Sequence, residues 1–514
     1  MKKRLFSLFL VVCMLLTLAA CGGNPTVGNE PSSEVASGDA SVSSDVNETP
    51  ASSEAPEISD GQSSTEPPSS QASTSSDKND APTGEKKTLT NYENKQLPNS
   101  MTVNTGSKKM SEGLDFGGQT FTMAVTAEEP QYHTGSFKRM IAAFQKKYNC
   151  KIEVKELVFN NYNQQVAQAM SGGKPYDICF QHGSMYPGAA IANLYEDLTK
   201  YFTTADFASA NNKSGIDVVK TSYYVWDGKI TGVSNYKNQY PQVMYYNKLL
   251  FEANDLEDPL ELYNQGKWTW NKIKSMGQKV TDATSGIYFL SEEFHYLRTM
   301  MVYGVPQVTV KDGKPVNNLS TKGCVNGLNL IRSLYVGSSA IARKPDNGSD
   351  KYQDFLRGNV FITAEESAKF PLLVEGAKTS VALGKSKDNI GIVPIPLDAS
   401  NTEKSYPAGR LFATSAGKGS KDPRVAVAWS LFWSEYTDAV KDSTDMTEEQ
   451  KALCEKLVMG NTCFSHGVYS TSSANTNDLS YEIPKKVIAG GDISQIVSTY
   501  SAQFDACISA TLKK

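Results

Sequence analysis

The chain has 514 residues, of which 39% are hydrophobic and 21% are charged, and its formal net charge at pH 7 is −4. No dense stripe of lysine and arginine occurs along it, so a nucleic-acid partner is not expected. Four histidines are present, which leaves little material for metal or acid–base chemistry. We therefore predict neither a metal site nor a cofactor.

The first twenty residues have the three-part pattern of an export signal. Residues 2–4 are cationic, and residues 5–20 are almost wholly apolar and end in two alanines. The apolar run is shorter than the roughly 20 residues of a membrane-spanning helix. The junction Leu18-Ala19-Ala20-Cys21 resembles the bacterial lipobox, whose cysteine is acylated. We predict a signal peptide at residues 1–20 and a lipid anchor at Cys21, on the extracytoplasmic face of the cell membrane.

Residues 21–113 are predicted to form a disordered tether. Serine, proline and acidic residues dominate residues 24–84, which contain eleven acidic residues, one lysine and no aromatic residue. So little apolar surface does not offset the conformational entropy of the chain. A random coil of this length spans about 45 Å, and charge repulsion extends it. The weakly basic stretch from Lys86 to Lys109 is expected to be a solvated extension of this tether.

The next hundred residues alternate between strand and helix patterns. Strands are predicted at Thr120–Thr126, Lys151–Val158 and Tyr176–Phe180, with helices at Ser136–Tyr148 and Tyr162–Met170 between them. This order is typical of a parallel sheet with right-handed crossovers, in which ligands bind beyond the carboxyl ends of the strands.

Further helices and short strands follow toward the C-terminus. The predicted helices are Trp270–Val280, Phe294–Tyr303, Asn326–Tyr335 and Pro423–Tyr436, and the predicted strands are Val360–Thr363 and Ile390–Val393. About 400 residues exceed what one hydrophobic core usually holds, so we expect two lobes.

Six cysteines follow the signal and the anchor, and none of them forms a CxxC pair that would indicate zinc or thioredoxin-like chemistry. The spacing of Cys454 and Cys463 permits a local disulfide in an oxidising exterior. Free buried thiols fit the same spacing, so the disulfide state is left open.

Several short motifs follow one another along the chain. They are Met170–Ile178 (MSGGKPYDI), Trp226–Val233 (WDGKITGV), Tyr245–Lys248 (YYNK), Lys267–Asn271 (KWTWN), Phe355–Phe361 (FLRGNVF) and Gly391–Pro396 (GIVPIP). Asp227-Gly228 favours a tight hairpin turn, and Thr269 is a plausible helix N-cap. Taken together, the motifs resemble those of the family 1 extracellular solute-binding proteins, which include the maltose-binding proteins.

The resemblance implies an α/β, two-lobed periplasmic-binding-protein-like fold with a ligand cleft and a hinge between the lobes. Lobe 1 would comprise residues 114–237 and 397–450, and lobe 2 residues 238–396 and 451–514. It also implies a monomeric lipoprotein that captures a small solute, expected to be a mono- or oligosaccharide, and delivers it to the permease subunits of an ABC importer. No catalytic residues come with the resemblance.

Sugar sites pair aromatic side chains, which cover apolar C–H faces, with charged or amide groups that bind hydroxyls. The positions that fall at the cleft in the resemblance give the predicted ligand-binding residues, among which we single out Tyr240. The full set is Glu128, Glu129, His182, Asn238, Tyr240, Phe294, His295 and Glu365.

Two alternative functions stay open at this point. A surface glycoside hydrolase would use two carboxylates on opposite sides of a sugar, for which Glu292-Glu293 and Glu365-Glu366 are the candidate pairs. A sensor-associated sugar-binding protein would share the fold and the cleft, and only its partners would distinguish it from a transporter subunit.

Overall fold

The structure is a computed structural model that describes residues 84–92, 95–208, 214–291, 301–311, 313–344, 351–442, 445–465 and 476–512. All of them belong to one compact unit, Lys78–Lys514. Among these residues no helix combines the length and the apolar character needed to cross a membrane.

The described strands and helices are numbered separately in chain order. The strands are β1 Lys86–Tyr92, β2 Lys95–Asn104, β3 Thr120–Thr126, β4 Lys151–Leu157, β5 Ile178–His182, β6 Val225–Trp226, β7 Lys229–Ile230, β8 Gln239–Asn247, β9 Tyr288–Leu290, β10 Val308–Lys311, β11 Lys314–Asn317, β12 Val360–Glu366, β13 Ile390–Pro394, β14 Tyr406–Ser415 and β15 Thr462–Cys463. The helices are α1 Gly135–Tyr148, α2 Tyr162–Ser171, α3 Gly188–Ile191, α4 Val218–Ser222, α5 Lys248–Ala253, α6 Pro259–Asn264, α7 Trp270–Val280, α8 Lys322–Tyr335, α9 Lys351–Arg357, α10 Phe370–Ala377, α11 Arg424–Glu435, α12 Glu448–Met459, α13 Thr476–Ile488 and α14 Ile493–Leu512.

The first half of the main sheet confirms the predicted strand–helix alternation. Parallel strands β4, β3 and β5 lie side by side, and β14 joins β5 in the antiparallel sense. The Thr134 hydroxyl begins α1 by accepting a hydrogen bond from the backbone N–H of Phe137, and Asn149 ends the helix in the left-handed conformation. The apolar face of α1 packs through Phe144 against the buried Trp429 of α11.

The second half of the main sheet is built on β8, which pairs with β12 on one side and with β13 on the other. The described edge strand β9 runs parallel to β12. Strand β8 ends at Asn247, and Thr269, as predicted, caps α7 by accepting from the N–H of Lys272. The indole N–H of Trp268 donates to the carbonyl oxygen of Pro394 at 3.0 Å, which ties the start of α7 to the end of β13.

Strands β8 and β14 cross between the two halves and join them into one sheet. They pair with each other around Tyr240 and Arg410. Beyond this crossing, β14 continues along β5, with Phe412 opposite His182, and β8 continues along β12, with Gln242 opposite Glu366. We call this crossing the strand junction. It is where the backbone passes from one half of the molecule to the other.

The expectation that residues 86–109 extend the tether is wrong for most of this stretch, although many of its side chains are exposed. Strands β1 and β2 form an antiparallel hairpin in which Leu89 lies opposite Met101, and both side chains are buried. Together with Val103 they pack into a cluster with Phe202 and Ile230. The folded unit therefore begins before residue 90, and the hairpin is part of its core.

Other elements match the predicted positions with small shifts. Helix α7 has the predicted bounds, whereas α8 begins four residues before the predicted Asn326 and β5 begins two residues after the predicted Tyr176. The Asp227-Gly228 turn is confirmed, with both residues at positive φ. Of the predicted helix Phe294–Tyr303, residues 294–300 lie outside the described residues, and Met301–Tyr303 forms a 3₁₀ turn.

The six cysteines that follow the anchor position are buried, and none of them forms a disulfide in the described part of the chain. Burial raises the pKa of the Cys454 thiol to about 12. The disulfide between Cys454 and Cys463 that the spacing permits is therefore absent from this structure.

Candidate ligand-binding site at the strand junction

Two short turns from opposite halves of the sheet meet beside the strand junction. Glu129 ends the loop after β3 and leads into the 3₁₀ turn Pro130–His133, which contacts the turn Ser367–Lys369 after β12. The carboxylate of Glu129, 3% exposed, lies 3.9 Å from the ammonium group of Lys369. This ion pair links the first half of the sheet to the second.

A group of tyrosines and a carboxylate lies close to this pair. The ring of Tyr240 meets the edge of Phe412 at 6.2 Å between centroids. Burial, and then the charge of Glu366, raise the pKa of Tyr240 above its usual value. Burial, and then Tyr240, raise the pKa of Tyr132 in the same direction. Tyr132, Tyr240 and Glu366 thus lie near one another, although they come from three separate elements.

The pleat of β8 brings Gln242 to the same face as Tyr240, because residues two apart in a strand share a face. Glu366 lies opposite Gln242 in the ladder between β8 and β12, so these two side chains are also neighbours. Tyr240, Gln242 and Glu366 form one polar patch on the sheet, which Tyr132 and the Glu129–Lys369 pair approach.

Of the predicted site residues, Glu129 and Tyr240 lie in this group, whereas Glu128 does not share their burial. The Glu128 side chain is exposed, and its two oxygens accept from the backbone N–H of Phe159 at 3.2 and 3.1 Å. It therefore connects the loop after β3 to the turn before α2.

His182 is buried beneath the junction among aromatic rings. Its Nδ1 lies 2.5 Å from the hydroxyl of Ser184 and accepts from the backbone N–H of the same residue. The edges of Phe159 and Phe412 lie 5.3 and 5.2 Å from its ring, between centroids. This environment positions the loop after β5.

Glu365 lies on the face of β12 opposite to Glu366. Its carboxylate is 2.7 Å from the ammonium group of Lys351 and accepts from the Tyr352 hydroxyl at 2.6 Å. Its other oxygen accepts from the backbone N–H of Glu366. The carboxylate of Glu365 is therefore paired and hydrogen-bonded within the second half of the sheet.

The backbone of Asn238 ends the 3₁₀ turn that leads into β8, next to Tyr240. Phe294, His295 and the anchor residue Cys21 lie outside the described residues. Tyr132, Gln242, Glu366 and Lys369 were not among the predicted site residues. Only Glu366 had a sequence signal, as the neighbour of Glu365 in a paired acidic motif.

A second contact between the halves lies at the hairpin β10–β11. Val310 on β10 is buried in one cluster with Tyr186, Tyr224 and Phe464. The rings of Tyr186 and Tyr224 are 5.3 Å apart between centroids, and β10 also contacts β2 of the N-terminal hairpin. The two halves therefore touch at two separate places beyond the crossing strands.

The described residues contain no group of side chains that could form a metal site. Across the described ranges, no three His, Cys, Asp or Glu side chains are close enough to hold a metal ion. A surface cavity of about 670 Å³ lies between α7, α8 and residues 398–400, and its lining includes no residue of the junction.

Solved structures of similar shape define the fold. An ABC substrate-binding protein from Listeria monocytogenes in complex with cycloalternan aligns with a TM-score of 0.57 and 15% identity, over 76% of this chain and 99% of its own. The galacto-N-biose-/lacto-N-biose I-binding protein of the ABC transporter from Bifidobacterium longum aligns with a TM-score of 0.56 and 14% identity, over 77% of this chain and 98% of its own. An extracellular solute-binding protein from Staphylococcus aureus in complex with maltose aligns with a TM-score of 0.53 and 13% identity, over 77% of this chain and 98% of its own. The chain thus has the two-lobed α/β fold of these binding proteins, as predicted.

The family itself is shown by the sequence. The sequence model described as bacterial extracellular solute-binding protein matches residues 139–445. The chain belongs to this family and is a solute-binding protein, although no curated protein sequence matches it at a significant level. The predicted family resemblance and the predicted class of function are confirmed.

Proposed function

We propose that this protein captures a mono- or oligosaccharide between its two lobes and delivers it to the permease subunits of an ABC importer. The observation that carries the proposal is the meeting of polar side chains from both halves of the sheet at the strand junction. Glu129 and Lys369 come from different halves, and Tyr240 lies on the strand that joins them. The three structural neighbours, by their names, bind cycloalternan, lacto-N-biose and maltose.

We assign lobe 1 to residues 114–237 and 397–450, and lobe 2 to residues 238–396 and 451–514. Two hydrophobic clusters support this division. One contains only residues between 114 and 180 and between 412 and 432, and the other only residues between 244 and 395 and between 483 and 508. The hairpin β1–β2 adds to lobe 1. Closure then brings the lobes together around the hinge formed by β8 and β14.

Closure provides the binding mechanism. A solute held by side chains of both lobes favours the closed form over the open form by the difference of its affinities for the two. In the proposed site, Tyr240 offers an aromatic ring at the hinge, and Glu129 offers a carboxylate from lobe 1. The roles predicted for Glu128, His182, Asn238, Phe294, His295 and Glu365 stay predictions.

Calorimetric titration of residues 84–514 against mono- and oligosaccharides tests the proposed function. We expect saturable binding of at least one sugar, with the sugar recovered unchanged by chromatography. Cleaved sugar would replace the proposal with a hydrolase. Glu365 would be a poor catalytic carboxylate, because its charge is matched by Lys351. Absence of binding to every sugar would redirect the search to other solutes.

We further propose export through the signal at residues 1–20, lipid attachment at Cys21 and action as a monomer on the outer face of the cell membrane. The polar, acidic composition of the following residues supports a tether. An anchored binder stays close to a permease in the same membrane, which raises its effective concentration there. Co-purification with permease subunits would separate transport from a role in sensing.

A further inference from the structure

Gln242 is a buried amide that the fold itself does not use. The residue is 2% exposed, and neither Oε1 nor Nε2 has a hydrogen-bond partner among the described residues. An amide can donate two hydrogen bonds and accept two. Leaving such a group buried without partners destabilises a folded protein by about 1–3 kcal/mol. In native structures most buried polar groups are hydrogen-bonded, and an exception needs a reason.

The same strand shows that burial on β8 does not prevent hydrogen bonding. Gln239, three residues earlier, is also buried, at 7% exposure. Its Nε2 donates to the carbonyl oxygen of Asn235 at 3.0 Å. Gln239 therefore holds the entry to β8, whereas Gln242 has the same functional group without such a role.

The position of Gln242 indicates what its amide is for. It lies where β8 leaves β14 and begins to pair with β12, opposite Glu366 and on the face of Tyr240. The turn that carries Tyr132 approaches this face from lobe 1. An amide at the hinge with free donor and acceptor atoms is placed to contact a solute enclosed between the lobes.

We propose that Gln242 is a ligand-binding residue that hydrogen-bonds hydroxyl groups of the enclosed solute. Because Nε2 donates while Oε1 accepts, the side chain matches groups that both accept and donate, as adjacent sugar hydroxyls do. A purely anionic group would leave Oε1 without a donor. This inference rests on the proposed function and names the solute class that this residue selects, a neutral polyol.

The test compares Gln242→Leu with Gln239→Leu, since both replace a buried amide on β8 by an apolar side chain of similar size. Without sugar, we expect Q242L to keep or raise the Tm, because it removes an unsatisfied polar group. We expect Q239L to lower the Tm, because it leaves the Asn235 carbonyl without its donor. With a sugar that the wild type binds, Q242L should weaken binding roughly tenfold or more.

Deoxy analogues of that sugar make the contact specific. One analogue should bind the wild type more weakly than the parent sugar but bind Q242L as well as the parent does, as in a double-mutant cycle. An unchanged Kd in Q242L, or a fall in its Tm like that of Q239L, would overturn the role of Gln242. A wild type that binds none of the sugars would instead overturn the sugar assignment, and the Tm comparison would still decide whether the amide has a structural role.

Discussion

Glu365 and Glu366 follow one another on β12, and their side chains point to opposite faces of the sheet. On one face, Lys351 neutralises the charge of Glu365, and the Tyr352 hydroxyl donates a hydrogen bond to it. On the other, Glu366 adjoins Gln242 and acts on Tyr240. Two adjacent carboxylates therefore differ in role: Glu365 is structural, and Glu366 belongs to the candidate site. Their positions in the sequence do not show which is which.

This difference predicts the effect of Lys351→Met. Lys351 is 11% and Glu365 4% exposed at their side chains, so removing the cation leaves a buried carboxylate without its counter-charge. We expect a loss of about 3–5 kcal/mol in the free energy of unfolding, measured by urea denaturation, with little change in the Kd for the sugar.

Two further variants control for this interpretation. Lys351→Met combined with Glu365→Gln should recover part of the lost stability, because the buried charge is gone. Lys378→Met removes an exposed pair with Glu375 and should change stability by less than about 1 kcal/mol. A sugar affinity that collapses in K351M at temperatures where the protein is folded would contradict the structural role of Glu365.

At the residue scale, only part of the candidate site could be predicted. Tyr240 and Glu129 could be predicted because they fall at cleft positions in the family resemblance. Gln242 gave no signal, since its burial depends on pairing with Glu366 more than a hundred residues away. Lys369 was missed for the same reason, because its partner Glu129 lies in the other half of the sheet. Such contacts come from tertiary structure and leave no local pattern.

At the scale of elements, local patterns were more informative. Helix α7 combines an N-cap at Thr269 with a periodic apolar face, so its bounds could be read from the sequence. The hairpin β1–β2 was missed because it follows a polar tether and has few apolar residues. Its stability comes from Phe202, Ile230 and other residues of lobe 1, which its own sequence does not reveal.

The hairpin predicts a sharp dependence on where the chain is truncated. Starting the protein at residue 106 removes the buried side chains of Leu89, Leu97, Met101 and Val103. Each fully buried side chain of this kind contributes about 1.5–3 kcal/mol. We expect residues 106–514 to have a clearly lower Tm than residues 84–514, or to aggregate through the uncovered surface.

The control compares the protein starting at residue 84 with one starting at residue 22. The shorter protein lacks no described core residue, so its Tm should equal that of the longer one. Equal Tm values for the proteins starting at residues 84 and 106 would show that the hairpin is not part of the folded core.

The hairpin β10–β11 carries a prediction about closure. Val310 packs with Tyr186 and Tyr224 of lobe 1, so Val310→Asp places a charge in this apolar contact between the proposed lobes and should oppose closure. We expect roughly tenfold weaker sugar binding and, by small-angle X-ray scattering, a larger radius of gyration at sugar concentrations that close the wild type.

Val316→Asp is the control on the same hairpin, since Val316 is 37% exposed. It should leave both the Kd and the scattering curve unchanged. If V310D and V316D behave alike, the cluster around Val310 does not contribute to closure.

At the scale of the whole molecule, the proposed lobes contact each other in two places. The lobes meet at the Glu129–Lys369 pair and again at the Val310 cluster, while β8 and β14 pass between them. We propose that the polar contact near the patch and the apolar contact at the hairpin both contribute to closure. Ligand contacts at Tyr240 and Gln242 would then add to an existing preference, so the affinity depends on both the solute and the lobe contacts.

The predicted tether would connect this folded unit to the predicted anchor. Cys21→Ala removes the residue that we propose is acylated, so we expect the mature protein to leave the membrane fraction and appear in the soluble extracytoplasmic fraction, without the mass of two acyl chains. Two chains hold a protein stably at a bilayer, whereas none leaves it free. Binding of sugar should be unchanged, because the folded unit begins more than sixty residues later.

Cys13→Ala provides the matched control for this last prediction. It replaces the other N-terminal cysteine, which lies within the predicted signal peptide and would be absent from the mature protein. That variant should stay anchored and retain the acyl mass by mass spectrometry. Membrane retention of C21A in the absence of detergent, or release of C13A, would contradict anchoring at Cys21. Either result would leave the solute-binding unit intact but would require another way of keeping it beside a permease.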